Sequence, residues 1–407
     1  MSWTKTTLGE VCASGGGAIQ TGPFGSQLHA SDYVETGVPS VMPQNIGDNA
    51  IVEEGIARIT EADATRLAKH RLRPNDIVYS RRGDVERRAL VRPENAGWLC
   101  GTGCLKVSFG DAPVVSPAFI SYYLGTEESR EWIVRHAVGA TMLNLNTKIL
   151  AAIPLTLPPR SEQEAIAEVL GALDDKIAAN TKLATTADSL AVAEFQHAVR
   201  DVALSEQTFA DLATVSGGGT PSTKVLEYWD GNISWATPTD VTPLSGPYLE
   251  STSRSITEAG LTACASSLYP AGSILMTSRA TIGAFAFAQK PMAVNQGFIV
   301  VQPTDTELSP WIFHEMRSRV DEFIAHANGA TFLELSRGKF KSFKVRLSTS
   351  AAMNAFGKEA ARLHEVASHA LRENRTLAAT RDALLPQLMS GKLRVKDAEA
   401  VLEQAGV

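Results

Sequence analysis

No stretch of this 407-residue chain approaches the ~20 consecutive apolar residues that a bilayer span needs, so no membrane helix is expected. Its start, MSWTKTTLGE, lacks a basic segment running into an apolar core, which argues against a secretory signal and for a cytoplasmic protein. Cysteine is scarce. Cys12, Cys100, Cys104 and Cys264 are too few to staple a chain this long, and a reducing compartment fits them. Cys100 and Cys104 have the spacing of two ligands, but no further Cys or His pair lies close, so they read as buried thiols and no metal is expected. An excess of positive charge is also missing. With 38 Lys and Arg against 44 Asp and Glu the formal net charge is −6, unlike a generic polyanion binder.

Catalytic signatures are absent too. Transfer to an adenine amino group needs an Asn/Asp-Pro-Pro-aromatic motif, and the one Pro-Pro, Pro158-Pro159, stands between Leu157 and Arg160. A phosphate-binding loop needs Gly-Lys-Ser/Thr; GPFGSQ has no Lys, and SGKL at 390–393 lacks the upstream glycines. No His-Glu-x-x-His zinc helix occurs. A glycosidase-like carboxylate pair should recur in both copies of the repeat described next, yet Asp76 falls opposite Ser273. No catalytic residue and no cofactor is expected.

What the chain does have is a phrase written twice. HAVGATMLNLN at 136–146 returns as HANGATFLELS at 326–336. Other segments echo with it. RPNDIVYSRRGDV at 73–85 resembles PAGSILMTSRATI at 270–282, GTGCLKVSF at 101–109 resembles VNQGFIVVQP at 294–303, and LGEVCASGGG at 8–17 resembles FADLATVSGGG at 209–219. A period near 190 residues is too long for a solenoid and reads as a duplicated domain. Each copy is dense in Gly and Pro, including the triple glycines at 15–17 and 217–219, with short alternating runs such as DIVYS, SILMTS and GFIVVQ between turns. Within the phrase, Gly139 and Gly329 suit a turn, Thr141 and Thr331 can bond local backbone, and His136 and His326 read as packing residues. Placed ahead of each helical segment, the phrase is expected to be a structural joint.

Each copy closes with a long segment free of Pro and nearly free of Gly. In the first, about 161–200, Ile166, Leu170, Leu173, Ile177, Asn180, Ala184 and Ala187 step by four and three, with Leu183 and Leu190 flanking. In the second, about 350–385, Phe356, Ala360, Leu363, Ala367, Ala370, Asn374 and Leu377 do the same, and Pro386 is expected to end or kink it. Such stripes are coiled-coil seams, and buried Asn residues on them can fix register. The expected fold is α+β: two tandem β-rich domains, each followed by a helix ~60 Å long, the helices pairing as an antiparallel coiled coil with pseudo-two-fold symmetry.

Together these features resemble the specificity subunit of type I restriction-modification systems, over residues 1 to about 394. The resemblance is carried by TGPFGSQLHASDY, GVPSVMPQNI and GATMLNLNTKILAAIPLTLPPRSEQEAIAEVLGALDDKI in the first half. In the second half it is carried by SGGGTPS, ISWATPTDV, SILMTSRATIG, AVNQGF, NGATFLEL and ALLPQLMSGKLRV. FKVRLSTSAAMN replaces the Pro-Pro and Glu-Gln signature there, which leaves the start of the second helix open by several residues. The resemblance implies target-recognition domain 1 at 1–157, spacer helix 1 at 158–200, target-recognition domain 2 at 201–347, spacer helix 2 at 348–394 and a tail at 395–407. It further implies a non-catalytic subunit that reads a bipartite, asymmetric site on double-stranded DNA. Two adenine-N6 methyltransferase subunits would dock on it, and a restriction-translocase subunit could join.

Nine Lys and Arg fall between Arg66 and Arg92 against three acids, and five more lie between Arg337 and Arg346 with none. Arg81 and Arg82 follow the first DIVYS run, as Arg279 follows the second. Arg can read guanine, and Asn or Gln adenine. Gln27, Gln44, Asn45, Lys224, Thr239, Asn295 and Gln296 sit in turn-rich segments able to enter a groove. Arg337, Lys339, Lys341 and Lys344 read as phosphate or partner contacts. The competing class is a duplicated adaptor that dimerises through its coiled coil without touching DNA.

Overall fold

The computed structural model describes residues 3–139, 141–329, 333–398 and 400. Thr331 and most of the tail, 399 and 401–407, lie outside them. The chain divides into two compact units, Met1–Asp175 with Ala378–Val407, and Lys176–Leu377. Each unit holds one β-rich domain and part of each long helix. Among the described residues no helix is long and apolar enough to cross a membrane.

The first domain has a five-stranded sheet in the order Ile19–Thr21, Cys104–Val107, Ile77–Ser80, Arg88–Leu90, Asp48–Asn49. Its second sheet orders Tyr33–Val34, Ala57–Ile59, Val38–Val41 and Leu99–Cys100. Val41 and Cys100 of one sheet pack with Val78, Ala89 and Cys104 of the other. The second domain repeats the larger sheet as Ala213–Ser216, Phe298–Pro303, Ile274–Arg279, Thr281–Ala288, Tyr248–Leu249. In both copies the last strand runs parallel to its neighbour. The DIVYS and SILMTS runs form the middle strand, where Ile77–Ser80 and Ile274–Ser278 are buried throughout, as expected for strands covered on both faces.

Each domain is closed by its own two ends. Thr4–Thr7 pairs antiparallel with Pro154–Leu157, and Leu204–Thr208 with Lys344–Arg346. These ribbons, not the repeated phrase, deliver the chain to the helices. Between phrase and helix lie a capped helical turn and a strand: Thr147–Ala151 with Asn146 accepting from the Ile149 amide (2.9 Å), and Arg337–Lys341 with Ser336 accepting from the Lys339 amide (3.2 Å). The expectation of a joint is therefore corrected.

The long helices are Arg160–Ala198 and Ser350–Met389. The first starts where Pro158-Pro159 stops. Gln163, almost fully buried, accepts from the Ser116 amide (3.0 Å) and donates to the Pro158 carbonyl (2.9 Å), pinning the helix to its domain. The second lacks that signature and starts on a Thr349 cap, which accepts from the Ala352 amide (3.3 Å). Pro386 does not end it. The last turn runs to Met389 because Leu384 and Leu388 are buried there, which offsets the one amide lost at proline.

The four-three stripes face inward. Ile166, Leu170, Leu173, Asn180, Ala184, Ala187, Ala191 and Phe195 are buried and Ile177 is half-buried, while Leu183 and Leu190 are exposed. Phe356, Ala360, Leu363, Ala367, Ala370 and Leu377 are buried likewise. Within the second unit the helices touch in antiparallel order. Asn180 Nδ2 donates to Glu373 Oε2 (2.7 Å), and Asn374 Nδ2 to the Ile177 carbonyl (3.1 Å) and Thr181 Oγ1 (3.0 Å). Further along, Phe195 meets Phe356 edge-on at 5.3 Å. Within the first unit Arg381 Nη1 donates to Asp174 Oδ1 (2.7 Å). Each seam Asn thus bonds the opposite helix through partners other than its counterpart.

Candidate nucleic-acid interface

In both domains the described ends of the repeated phrase pair with each other as the two arms of a hairpin, laid against the end of the middle strand. Val138 and Asn144 exchange amide-carbonyl bonds, as do Asn328 and Glu334. The Leu145 amide then donates to the Arg81 carbonyl (2.9 Å), and the Leu335 amide to the Ser278 carbonyl (3.0 Å). Gly83 donates to Leu143, and Ala280 to Leu333. Leu145 and Leu335 are buried anchors. Gly139 is required: its φ is +129°, and a Cβ there would meet the Met142 carbonyl oxygen at 2.2 Å. His136 and His326, the first residues of the phrase, are exposed, their Nδ1 atoms donating to the Trp132 (2.8 Å) and Glu322 (2.9 Å) carbonyls.

This hairpin fixes an arginine at the same place in each copy. Arg82 bridges to Asn144, and Arg279 to Glu334, through their backbones. Immediately afterwards the chain turns with positive φ, +76° at Gly83 and +59° at Ala280. Arg82 is exposed. Arg279, the last residue of its strand, is half-exposed and ion-paired to Glu334 at 2.8 Å. Arg81 is partly buried, with its guanidinium 5.8 Å from the exposed Phe24 ring.

The remaining candidates scatter. Gln44, Lys224 and Thr239 are exposed, Thr239 within 2.7 Å of the Thr237 hydroxyl. Gln27 accepts from the Phe24 amide (3.2 Å) and so shapes its own loop. Asn295 accepts from the Gly297 amide (2.8 Å), and exposed Gln296 accepts from the Thr220 hydroxyl (2.6 Å). Asn45 leaves the candidate set. It is 1% exposed, accepts from the Met42 amide (3.1 Å) and donates to the Val52 carbonyl (3.2 Å), so its amide is consumed inside the domain. Arg279 and Gln296 share a hollow of about 470 Å³ with Glu334, Arg337 and Lys341. Lys344, read as a phosphate or partner contact, is paired with Glu206 at 2.9 Å.

Two residues at this corner escaped sequence reading, Asn144 and Glu334. The available signal was that the two copies of the phrase differ there. Among the described residues no group of three or more His, Cys, Asp or Glu is placed to hold a metal. Burial pushes the Cys100 thiol up to about 12 and raises Cys104 as well, which makes both poor thiolates. Where the second domain packs on its helix, His314 Nε2 and His364 Nε2 lie 3.0 Å apart, and the Tyr248 hydroxyl lies 2.7 Å from His364 Nδ1. Burial lowers His314 to about 3 and His364 to about 4, so both are neutral at pH 7.

A family model described as type I restriction modification DNA specificity domain matches residues 2–187 and again 205–350. A type I restriction enzyme MjaIX specificity subunit from Methanocaldococcus jannaschii is 37% identical over 137 residues, 33% of this chain and 32% of that subunit. The EcoR124I/EcoR124II specificity subunit from Escherichia coli is 25% identical over 250 residues, 56% of this chain and 58% of that one. The matches thus span about a third and somewhat over half of those relatives' lengths. A crystal structure of a type I restriction-modification S subunit from M. genitalium superposes with a TM-score of 0.62 at 17% identity, covering 95% of this chain and 96% of that one, a likeness of fold.

Proposed function

The chain belongs to the type I restriction-modification DNA specificity family, and from that premise we propose that it reads a bipartite, asymmetric site on double-stranded DNA without catalysing any reaction itself. The observation that carries this reading is the duplicated corner at which the repeated hairpin presents Arg82 in one domain and Arg279 in the other. A chain that must recognise two half-sites needs the same presenting device twice, with different side chains around it. Affinity comes from unpaired cations against phosphates, and specificity from base edges in the groove. Arg279, Gln296, Arg337 and Lys341, gathered in one hollow, supply both kinds of donor. A net charge of −6 is compatible, because the contacts are local rather than a property of the whole surface.

The domains at 1–157 and 201–347 are the two readers. The helical segments at 158–200 and 348–394, each contributing residues to both units, are the spacer that sets the gap and the surface on which two adenine-N6 methyltransferase subunits dock. A restriction-translocase subunit joins the same assembly. The adaptor reading is not favoured, since it gives no reason for a cationic side chain at the same strand end in both copies.

The test is to map N6-methyladenine in genomic DNA of cells carrying the chain with its methyltransferase, and again after the chain is deleted. One motif of two short half-sites around a fixed gap, lost on deletion, is expected. Methylation unchanged by deletion would overturn the reading.

A further inference from the structure

The two presenting corners agree in backbone and differ in one side chain. Arg82 and Arg279 occupy the same strand end, and the same backbone bridge ties each to the hairpin. The residue across the bridge is Asn144 in the first domain and Glu334 in the second. Arg279 Nη2 donates to Glu334 Oε1 at 2.8 Å, with both side chains a little under half exposed. Arg82 makes no ion pair among the described residues.

We propose that Arg279 and Glu334 act as one base-reading unit, the carboxylate holding the guanidinium at the rim of the hollow so that its remaining donors read a guanine. The residue at 144 or 334 then decides how the shared arginine is used in each half-site. This rests on the DNA reading above.

Three observations point this way. A carboxylate beside an arginine works against a phosphate contact, because it repels the same backbone that the arginine would attract. Beside a base edge it does not, and it removes the freedom of a long side chain. A guanidinium has five N–H donors, and Glu334 takes one, leaving a pair that fits guanine O6 and N7. The chain also turns directly after the arginine through Ala280, at a φ of +59° that side-chain-bearing residues rarely adopt. With the Ala280 amide bonded to Leu333 and the Leu335 amide to Ser278, the strand end is fixed on both sides of Arg279. In the first domain the neutral Asn144 leaves Arg82 unclamped, suited to a phosphate.

The experiment maps the methylation motif in cells expressing the full chain with its methyltransferase, as wild type, R279A, R279K, E334A, E334Q and E334N. Preference at one base pair, a G·C, of one half-site should fall roughly five- to hundred-fold in R279A, R279K, E334A and E334N. E334Q keeps an acceptor and should lose less at that same position. The other half-site and the gap should stay as in wild type, which also shows that the variants fold. An R279A or E334A motif identical to wild type would overturn the assignment. So would uniform weakening at every site with all positions kept, the mark of a phosphate contact. A wild-type chain that directs no bipartite methylation would instead defeat the DNA reading itself.

Discussion

Two stretches, Arg66–Arg92 and Arg337–Arg346, look alike as strings of basic residues, yet folding treats most of their charges differently. In the first, Arg66 pairs with Asp63, Arg71 with Glu61, Arg73 with Asp111, Arg87 with Asp84 and Arg92 with Asp175, while Arg88 is buried near Asp48. Several of those acids lie far off in sequence. In the second stretch Lys344 pairs with Glu206, and Arg346 bonds Glu315, whose carboxylate is fully buried and also held by Arg319. What remains without a carboxylate among the described residues is Lys69, Arg81 and Arg82 in one and Arg337, Lys339 and Lys341 in the other. Charge density along a chain overstates the charge offered to a polyanion, because the fold brings acids to it.

Glu315→Ala removes the buried carboxylate that Arg346 and Arg319 share, leaving Arg346 without an acid and Arg319 with Glu322 alone, and should cost about 3–5 kcal/mol in denaturant unfolding. A cost near that of a surface pair would mean the buried network is not what the geometry describes.

Next in size is the effect of the free cations on DNA. The pair R337A and K341A should weaken binding and flatten the slope of log affinity against log salt by about 1.8, at about 0.9 per phosphate contact. The pair R66A and R87A, already neutralised by acids, should leave the slope within error. Equal effects would erase the distinction between free and paired charge.

A smaller effect should appear with pH. Burial lowers His314 to about 3 and His364 to about 4, below the ordinary histidine value near 6.5. The unfolded chain therefore binds more protons between those values. Stability contributed by the neutral pair is complete above about pH 6.5 and drains away as pH falls through the folded values. The thermal midpoint should drop between pH 7 and pH 4.5, and H314Q with H364Q should shrink that drop. The least effect belongs to the exposed pairs: Asp63→Ala or Asp84→Ala should change stability by under ~1 kcal/mol.

The duplication and the long helices were legible because both are local patterns: an echo at fixed spacing, and a four-three stripe from Ile166 onward. Even the seam asparagines could be read, since position on a stripe needs no partner. Purpose at the phrase was not legible. Its role depends on Leu145 and Leu335 bonding a strand end some 60 residues earlier in the chain, and nothing local reports that. Asn45 was misread for the same reason: an amide in a turn looks available until its partners Met42 and Val52 are known. Pro386 reads from sequence as an end or a kink because the burial of Leu388 half a turn later is a tertiary fact.

The two-reader proposal is tested most directly by binding of the chain, in complex with the methyltransferase proposed to dock on it, to three duplexes over a range of salt. One carries the mapped bipartite site, and the others have one or the other half-site scrambled. Two readers of DNA predict a steep salt dependence on all three and a loss of affinity from scrambling either half. Binding that is flat in salt, or indifferent to one of the two half-sites, would contradict the account.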